Sequence, residues 1–215
     1  MTVADSDAYP EILERTKRGD KFLDLGCCFG QEIRQLVFDG APSANTFGSD
    51  LWADFITVGY ELFKDSSRLQ TTFIAADVFD DSSPLIELAG QMDIIFTGSL
   101  FHLFNLAEQE TLASRIVQLL SARPGSLLVG RHSGSEEAGE FARSGDTSDR
   151  KHFRHNPQSW GELWARVGRN TGSQWSVRAE LRFQEPESVL AAPAGMSTEE
   201  QRVMSAQLVY TVRRL

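Results

Sequence analysis

Three aspartates accompany short apolar runs in the first third of the chain, and their carboxylates are the first candidates for chemistry. Asp24 lies in the run 22–25, Asp50 follows the run 44–49, and Asp77 follows the run 71–76. Carboxylates accept hydrogen bonds from hydroxyl and amine groups, so three of them together would suit a ligand that carries both. Aspartate is also common at strand ends and helix caps, and any one of the three alone has that structural interpretation.

The first aspartate opens a glycine-containing turn, DLGCCFG, at residues 24–30. Glycine lets a ligand approach the backbone closely, and free N–H groups at the start of the following helix face the same ligand. A strand, such a turn and a helix start are typical of nucleotide and anion sites. The two adjacent cysteines are poorly placed for a disulfide and have no metal-ligand spacing, which favours a packing role and predicts no bound metal.

The other candidates are histidines and arginines in the second half of the chain. His102 follows the predicted strand 93–97 and could act as a base or orient a substrate, with a structural histidine bonded to backbone as the alternative. Basic residues of the predicted long loop 131–155 could hold a substrate carboxylate, and Phe101 could contribute an apolar wall. The loop also carries acids, so a solvated loop is the alternative. The predicted basic set comprises Arg131, His132, Arg150, His152, Arg154 and His155.

The elements that would position these residues alternate along the chain. Strands are predicted at 22–25, 44–49, 71–76, 93–97 and 126–129, and helices at 10–17, 31–38, 52–63, 84–88, from Asn105 onward, and 158–167. The helix 52–63 places Phe55, Val58 and Leu62 on one face. Residues 176–184 and 208–212 alternate apolar and polar, as antiparallel edge strands do.

This order predicts an α/β fold with a doubly wound, Rossmann-like sheet. The sheet would have seven strands, five parallel and a C-terminal antiparallel pair, with helices on both faces. Carboxyl ends of parallel strands meet at one edge of a sheet, so the three aspartates would lie side by side. Residues 21–215 form one predicted domain, preceded by an N-terminal helical segment at 1–20.

Composition limits the function classes. The net charge of −9, from 21 Lys and Arg against 30 Asp and Glu, argues against a broad nucleic-acid surface. No apolar run approaches the ~18–20 residues that span a bilayer, and the polar, acidic start is unlike a secretory signal. With only two cysteines, we expect a reduced, cytoplasmic protein with a small-molecule substrate. A homodimer is kept as a candidate assembly.

Five motifs, taken in order, resemble those of class I S-adenosylmethionine (SAM) dependent methyltransferases. They are DLGCCFG at 24–30, GSD at 48–50, ADVF at 76–79, MDIIFTGSLFHLF at 92–104 and RPGSLLVG at 123–130. Residues 23–43 and 154–168 are further similar to fungal methyltransferases of meroterpenoid and related secondary-metabolite pathways. The resemblance runs from about residue 21 to the C-terminus. It implies SAM as cofactor and S-adenosylhomocysteine as product.

The resemblance also implies a role for each matching residue at the methionine end of SAM. Asp24 would help to orient the amine of the cofactor, directly or through water. The backbone at the end of the fourth strand would face the same amine. The residues implied to line this end are Gly26, Cys27, Gly30, Thr97 and Gly98.

At the other end of the cofactor, the resemblance implies contacts to ribose and adenine. Asp50 would accept both ribose hydroxyls, with Leu51 and Trp52 packed near the ribose or the adenine. For Trp52, a core-packing aromatic is an equal alternative. Asp77 would accept the adenine amine, and the backbone N–H of Val78 would face the ring.

The implied reaction is methyl transfer to oxygen on a meroterpenoid or polyketide. A carboxylate is ionised at pH 7 and needs no base, whereas a phenol or alcohol would need His102. The sequence TGSLFHLF departs from the Asn/Asp-Pro-Pro-aromatic form of many amine-methylating enzymes, which favours oxygen. Relatives carry a longer N-terminal lid, of which residues 9–15 would be a remnant. One alternative is a SAM-binding protein that transfers no methyl group, either a partner subunit or a cyclase. A second alternative is an NAD-type dehydrogenase, but the turn lacks the GxGxxG motif that such enzymes have.

Overall fold

A computed structural model describes residues 2–142, 151–183 and 206–215. Its main feature is a seven-stranded sheet. The strands of this sheet are β1 (Phe22–Leu25), β2 (Thr46–Asp50), β3 (Thr72–Ala75), β4 (Ile94–Gly98), β5 (Leu127–Ser133), β8 (Trp175–Phe183) and β9 (Ala206–Arg214). They follow the order β3-β2-β1-β4-β5-β9-β8 across the sheet. The first five strands pair in parallel, and β9 pairs antiparallel with both β5 and β8.

Five α-helices connect and cover the strands within the described residues. They are α1 (Tyr9–Lys17), α2 (Gln31–Phe38), α3 (Ala53–Phe63), α4 (Leu106–Leu119) and α5 (Pro157–Thr171). Asn105 caps α4 by a reciprocal pair of hydrogen bonds: its side chain accepts the Glu108 N–H at 2.9 Å, and the Glu108 carboxylate accepts the Asn105 N–H at 3.0 Å. Short 3-10 turns occupy Pro84–Leu88 and Phe101–Leu103.

The predicted seven-stranded α/β sheet is confirmed, but the structure contains two further strands that were not predicted. The sequence predicts a loop over 131–155, whereas in the structure β5 continues to Ser133 and a separate two-stranded antiparallel sheet follows. That sheet pairs β6 (Gly139–Ala142) with β7 (Lys151–Arg154). The sequences GEFA of β6 and KHFR of β7 contain neither an apolar run like that of β1 nor a clear alternation, so nothing in them indicates a strand.

Successive residues of the central strands point to opposite faces of the sheet, and each face has its own core. Leu23, Ile95 and Leu128 belong to the core that includes residues of α4 and α5. Phe22, Ile94 and Leu127 belong to the core that includes residues of α1 and α2. The predicted helices on both faces are therefore present, and the central strands are held from both sides.

Helix α3 is the exception among the helices, because its predicted apolar face is exposed. Phe55, Val58 and Leu62 have exposed fractions of 37%, 43% and 63%. Of the residues of α3, only Gly59 is buried. A Cβ at Gly59 would lie 2.4 Å from the Phe29 carbonyl oxygen, so the helix approaches the glycine turn with its backbone. The close contact of α3 is therefore the one between its backbone at Gly59 and the glycine turn at Phe29.

None of the helices in the described ranges is long and apolar enough to cross a lipid bilayer.

Candidate functional site

A cavity of about 180 Å³ opens at the carboxyl edge of the sheet, above β1, β4 and β5. The glycine turn after β1, the first turn of α2 and the ends of β4 and β5 form its walls. These elements meet there because the carboxyl ends of parallel neighbours lie at one edge. The cavity is lined by Asp24, Gly26, Cys28, Gln31, Glu32, Phe96, Gly98, Ser99 and Arg131.

Asp24 is the most unusual side chain of this cavity. It is only 2% exposed, and its Oδ2 makes no hydrogen bond to any described residue. Burial raises the pKa of Asp24 well above its ordinary value, and the nearby Glu32 and Asp50 carboxylates add to the effect. Leaving a buried acceptor unsatisfied costs about 1–3 kcal/mol, and more for a charged group. A cationic or hydrogen-bond-donating ligand would remove this cost.

The glycine turn is shaped to leave room beside Asp24. Gly26 has φ +84°, a conformation that L side chains rarely adopt, and a Cβ there would lie 3.3 Å from Leu100 Cδ1. The backbone N–H groups of Gly26 and Cys27 both donate to the Ser49 carbonyl, at 2.8 and 2.9 Å. The turn is thus fastened to the end of β2.

Asp50 is held at the end of β2 by two backbone donors. The Cys28 N–H donates to Oδ2 at 2.8 Å, and the Trp52 N–H donates to Oδ1 at 3.1 Å. A carboxylate has about four acceptor positions, so Asp50 retains capacity for ligand hydroxyls. The neighbouring Leu51 and Trp52 are 55% and 60% exposed, which makes them accessible to a ligand and excludes the alternative of a core aromatic for Trp52.

Asp77, the third aspartate, lies at the same carboxyl edge of the sheet as Asp24 and Asp50. Asp77 follows β3, and its Oδ1 accepts the Phe79 N–H at 2.9 Å, which orients the carboxylate in a tight turn. Asp77 is exposed and Val78 is half-buried. Because β1, β2 and β3 are adjacent in the sheet, the three aspartates follow one edge in the predicted order.

Three predicted lining residues, Cys27, Gly30 and Thr97, are not part of the cavity wall. Cys27 is 1% exposed and packs in the core of α1 and α2, whereas Cys28 lines the cavity. Burial raises the pKa of the Cys27 thiol, consistent with a packing role. Thr97 lies on the opposite face of the sheet from the cavity, and its Oγ1 is 2.7 Å from the Tyr210 hydroxyl. Gly98 does line the cavity.

Sequence reasoning missed Glu32 and Ser99. Glu32 lies in the first turn of α2, where the helix start faces the ligand edge, and that position was the available signal. Its Oε2 accepts the Val3 N–H at 2.6 Å, which brings the N-terminal residues beside the cavity. Ser99 has φ +60°, an unusual conformation for a non-glycine residue, and nothing in the sequence indicates it.

His102 lies outside this cavity, in the short turn after β4, and is half-buried. Behind it are two fully buried histidines, His132 on β5 and His155 before α5. Both pack against Trp160, with ring centroids 5.0 and 5.4 Å away. Burial lowers the pKa of His132 well below its ordinary value and that of His155 to about 4. Both are therefore neutral near pH 7.

The predicted basic set does not converge on one anchor. Arg131 lines the cavity, while His132 and His155 lie in the core. His152 and Arg154 both pack on Phe141 of the small sheet, His152 with ring centroids 6.2 Å apart and the Arg154 guanidinium 4.8 Å from the ring centre. The predicted basic residues thus lie in three different surroundings, their role in binding a substrate carboxylate stays a prediction, and Arg150 lies outside the described residues.

Large aromatic side chains of this region lie in the core. Trp160 and Trp164 of α5 are buried. Phe101, predicted to wall a substrate pocket, is 0% exposed and packs edge-on against Trp160 at 4.9 Å. No group of histidine, cysteine and acidic side chains within the described ranges could hold a metal ion.

Comparison with known proteins identifies relatives at substantial identity. No family model matches the sequence. The chain is 47% identical over 179 residues to the O-methyltransferase phiE of a fungal species, which covers 82% of this chain and 59% of that protein. It is 42% identical over 181 residues to the methyltransferase ausD of Penicillium brasilianum (83% and 64%). It is 43% identical over 178 residues to the asnovolin E/chermesin D methyltransferase nvfJ of Aspergillus novofumigatus (82% and 63%). The chain thus spans about three fifths of the length of these relatives.

Solved structures share the fold at low identity. A SAM-dependent methyltransferase from Mesorhizobium loti matches with a TM-score of 0.61 at 17% identity, covering 99% of this chain and all of that one. The [4+2]-cyclase SpnF also matches with a TM-score of 0.61, at 14% identity, covering 96% and 81%. The fold of this chain is therefore shared with a SAM-dependent methyltransferase and with a [4+2]-cyclase.

Proposed function

The chain is a homologue of fungal secondary-metabolite methyltransferases, and from this relationship we propose that it is a SAM-dependent O-methyltransferase acting on a small natural product. The proposed acceptor is a carboxyl or hydroxyl group of a fungal meroterpenoid or polyketide. Support for oxygen comes from the name of the relative phiE and from the TGSLFHLF segment after β4. The relatives nvfJ and ausD are both named as methyltransferases.

The observation that carries the proposal is the buried Asp24 side chain, whose Oδ2 makes no hydrogen bond to any described residue, in the cavity at the sheet edge. SAM has an ammonium group in its amino-acid part, which would satisfy Asp24 by a charge-assisted hydrogen bond. Asp50 and Asp77, spaced along the same edge, would accept the ribose hydroxyls and the adenine amine. Leu51 and Trp52 are exposed where they could cover the nucleoside. The residues present therefore fit the cofactor.

When bound, SAM supplies an electrophilic methyl group on a sulfonium. The work of this chain is then to align the acceptor oxygen with that methyl and to exclude water. For a carboxylate acceptor, no side chain needs to take a proton at neutral pH. For a hydroxyl acceptor, we propose that His102 takes the proton, since it lies in the turn directly after β4.

The experiment is incubation of the 215-residue protein with methyl-labelled SAM and a panel of terpenoid acids and phenols, with analysis of labelled products. We expect label in a methyl ester or methyl ether and much less label in reactions with Asp24→Asn, which removes the carboxylate at nearly constant shape. SAM binding without transfer to any acceptor would instead support a SAM-binding cyclase or partner subunit. Binding of NADH with no binding of SAM would refute the proposal outright.

A further inference from the structure

We propose that the edge strand β8 pairs with β8 of a second copy of this chain, so that two seven-stranded sheets join into one continuous sheet. The two strands run antiparallel about a two-fold axis that passes through the sheet at Ala179. This axis is perpendicular to the sheet, so helix α5 of both copies lies on the same face of the joined sheet. The proposed interface is at the opposite end of the sheet from β3 and is independent of the proposed function.

Strand β8 is a long and regular edge. Its outer side is paired with no strand among the described residues. It has nine residues and pairs with β9 along its whole length, without a bulge or a proline. The opposite edge strand, β3, has only four residues. Natural proteins usually shorten or interrupt an exposed edge, because its unpaired backbone N–H and C=O groups can bind another strand. Strand β8 is therefore the edge of this sheet that can take a partner.

The two faces of β8 carry different side chains. One row packs on the core beneath α5 but is only partly buried; it contains Trp175, Val177, Ala179 and Leu181. The alternate row carries the exposed Arg178 and Glu180, which border a cavity of about 310 Å³ beside residues 6–8. A strand added at this edge meets half-buried apolar groups on one face and charges on the other.

The order of the charges makes the strand self-complementary. When two copies pair with Ala179 at the centre, Arg178 of each copy lies opposite the partner's Glu180, and the symmetry forms this pair twice. On the other face, Val177 lies opposite the partner's Leu181. Opposite charges and apolar side chains facing each other across two strands stabilise the pairing, whereas like charges oppose it. A centre at Arg178 or Glu180 would place like charges opposite each other, and Ala179 is also the centre that pairs all nine residues.

Both charges are available to a partner. Arg178 is exposed and has no hydrogen-bond or ion-pair partner among the described residues. The Glu180 side chain is 58% exposed, and its Oε1 accepts a hydrogen bond from Arg182. Arg182 is bound within its own chain, because its Nη2 also donates to Asp7 Oδ2 at 2.7 Å. Pairing of two copies therefore gives Arg178 a carboxylate partner and breaks no ion pair of the single chain.

The test is sedimentation velocity of the 215-residue protein at micromolar concentrations, where wild type is expected to be a dimer. Arg178→Glu and Glu180→Arg each replace both opposite-charge pairs by like charges, so each should weaken the dimer by about 10- to 100-fold. Arg68→Glu is the matched control, since it reverses an exposed arginine just before the opposite edge strand, β3. It should leave the dimer unchanged.

The two charge reversals should rescue each other. In a mixed pair of Arg178→Glu and Glu180→Arg chains, one chain carries two acids and the other carries two arginines at these positions. Opposite charges then lie across from each other at both positions, so an equal mixture should sediment as a dimer. The double variant, which exchanges the two charges within one chain, should also dimerise. If a reversal folds poorly, Arg178→Gln and Glu180→Gln provide milder variants, and each should weaken the dimer by about 3- to 10-fold.

Three results would overturn the proposal. The first is a wild-type protein that stays monomeric at these concentrations. The second is a wild-type dimer that both reversals leave intact, because the dimer would then use another surface, such as the exposed face of α3. The third is a pair of reversals that dissociate the dimer but do not associate when mixed, which excludes the pairing centred at Ala179.

Discussion

Acidification should lower the free energy of unfolding of this protein, because its buried histidines take up protons when the chain unfolds. The pKa of His155 sets the magnitude of this effect. Burial lowers the pKa of His155 from 6.5 to about 4, with the nearby Arg166 as a second cause. Below about pH 6.5, the unfolded chain binds a proton at this residue while the folded protein does not. The free energy of unfolding therefore falls as the pH falls from about 6.5 to about 4. His132, whose pKa burial also lowers, acts in the same direction.

The difference between the two pKa values of His155 corresponds to about 3 kcal/mol of unfolding free energy at pH 4. The measurement is urea unfolding of wild type and His155→Asn from pH 7.5 to 4.5. Asparagine does not titrate and can keep a polar atom near Ser159 Oγ, which lies 2.8 Å from His155 Nδ1. The variant should be less stable at pH 7.5, and the gap should narrow by about 2–3 kcal/mol at pH 4.5.

Ser159→Ala is the matched control, because it removes the hydrogen bond to His155 but leaves the titrating ring. Its stability should decrease by about 1 kcal/mol at every pH, with a pH dependence parallel to that of wild type. Parallel curves for wild type and His155→Asn would refute the reasoning. Such a result would mean that His155 takes up its proton equally well in the folded and unfolded states.

Three further predictions test the site. Asp24→Asn should stabilise the ligand-free protein against thermal unfolding at pH 7, since an unpartnered buried carboxylate is removed, yet weaken S-adenosylhomocysteine binding at least about 10-fold by calorimetry. Gly59→Ala places a Cβ 2.4 Å from the Phe29 carbonyl oxygen and should cost about 1–3 kcal/mol in urea unfolding; an unchanged midpoint would contradict the close packing of α3. His102→Gln should lower methylation of a phenol about 100-fold and leave methylation of a carboxylic acid nearly unchanged, measured as initial rates on a matched pair of acceptors.

The glycine turn and the starts of two helices were predictable because their signals are local. Asp24 and Gly26 are separated by one residue, and the helix after them starts at Gln31 as predicted. The capping pair of Asn105 and Glu108 likewise marks the start of α4 within four residues of sequence. Such features depend on backbone geometry over one turn, which residue types determine directly.

Arg131 shows why the rest was less predictable. Arg131 and His132 are neighbours in sequence, and both are predicted as substrate-binding residues of one long loop at 131–155. The strand containing them was predicted to end at residue 129, whereas β5 runs to Ser133. Once they are placed in a strand, the two side chains must face opposite sides of the sheet. The predicted end of β5 was four residues too early, and this error made the predicted surroundings of both side chains wrong.

The placement of His102 depends on contacts that no local pattern carries. Gln109 of α4 is fully buried and donates its amide N–H groups to the carbonyls of Phe104 and Phe153, at 2.9 and 2.8 Å. The Phe153 N–H also donates to the Phe104 carbonyl at 2.9 Å. These bonds attach the segment after β4, which carries His102, to the small β6–β7 sheet. The aspartate edge is instead fastened to β2 through Ser49 and Asp50. Changes in the small sheet should therefore move the proposed acceptor side of the site and leave cofactor binding intact.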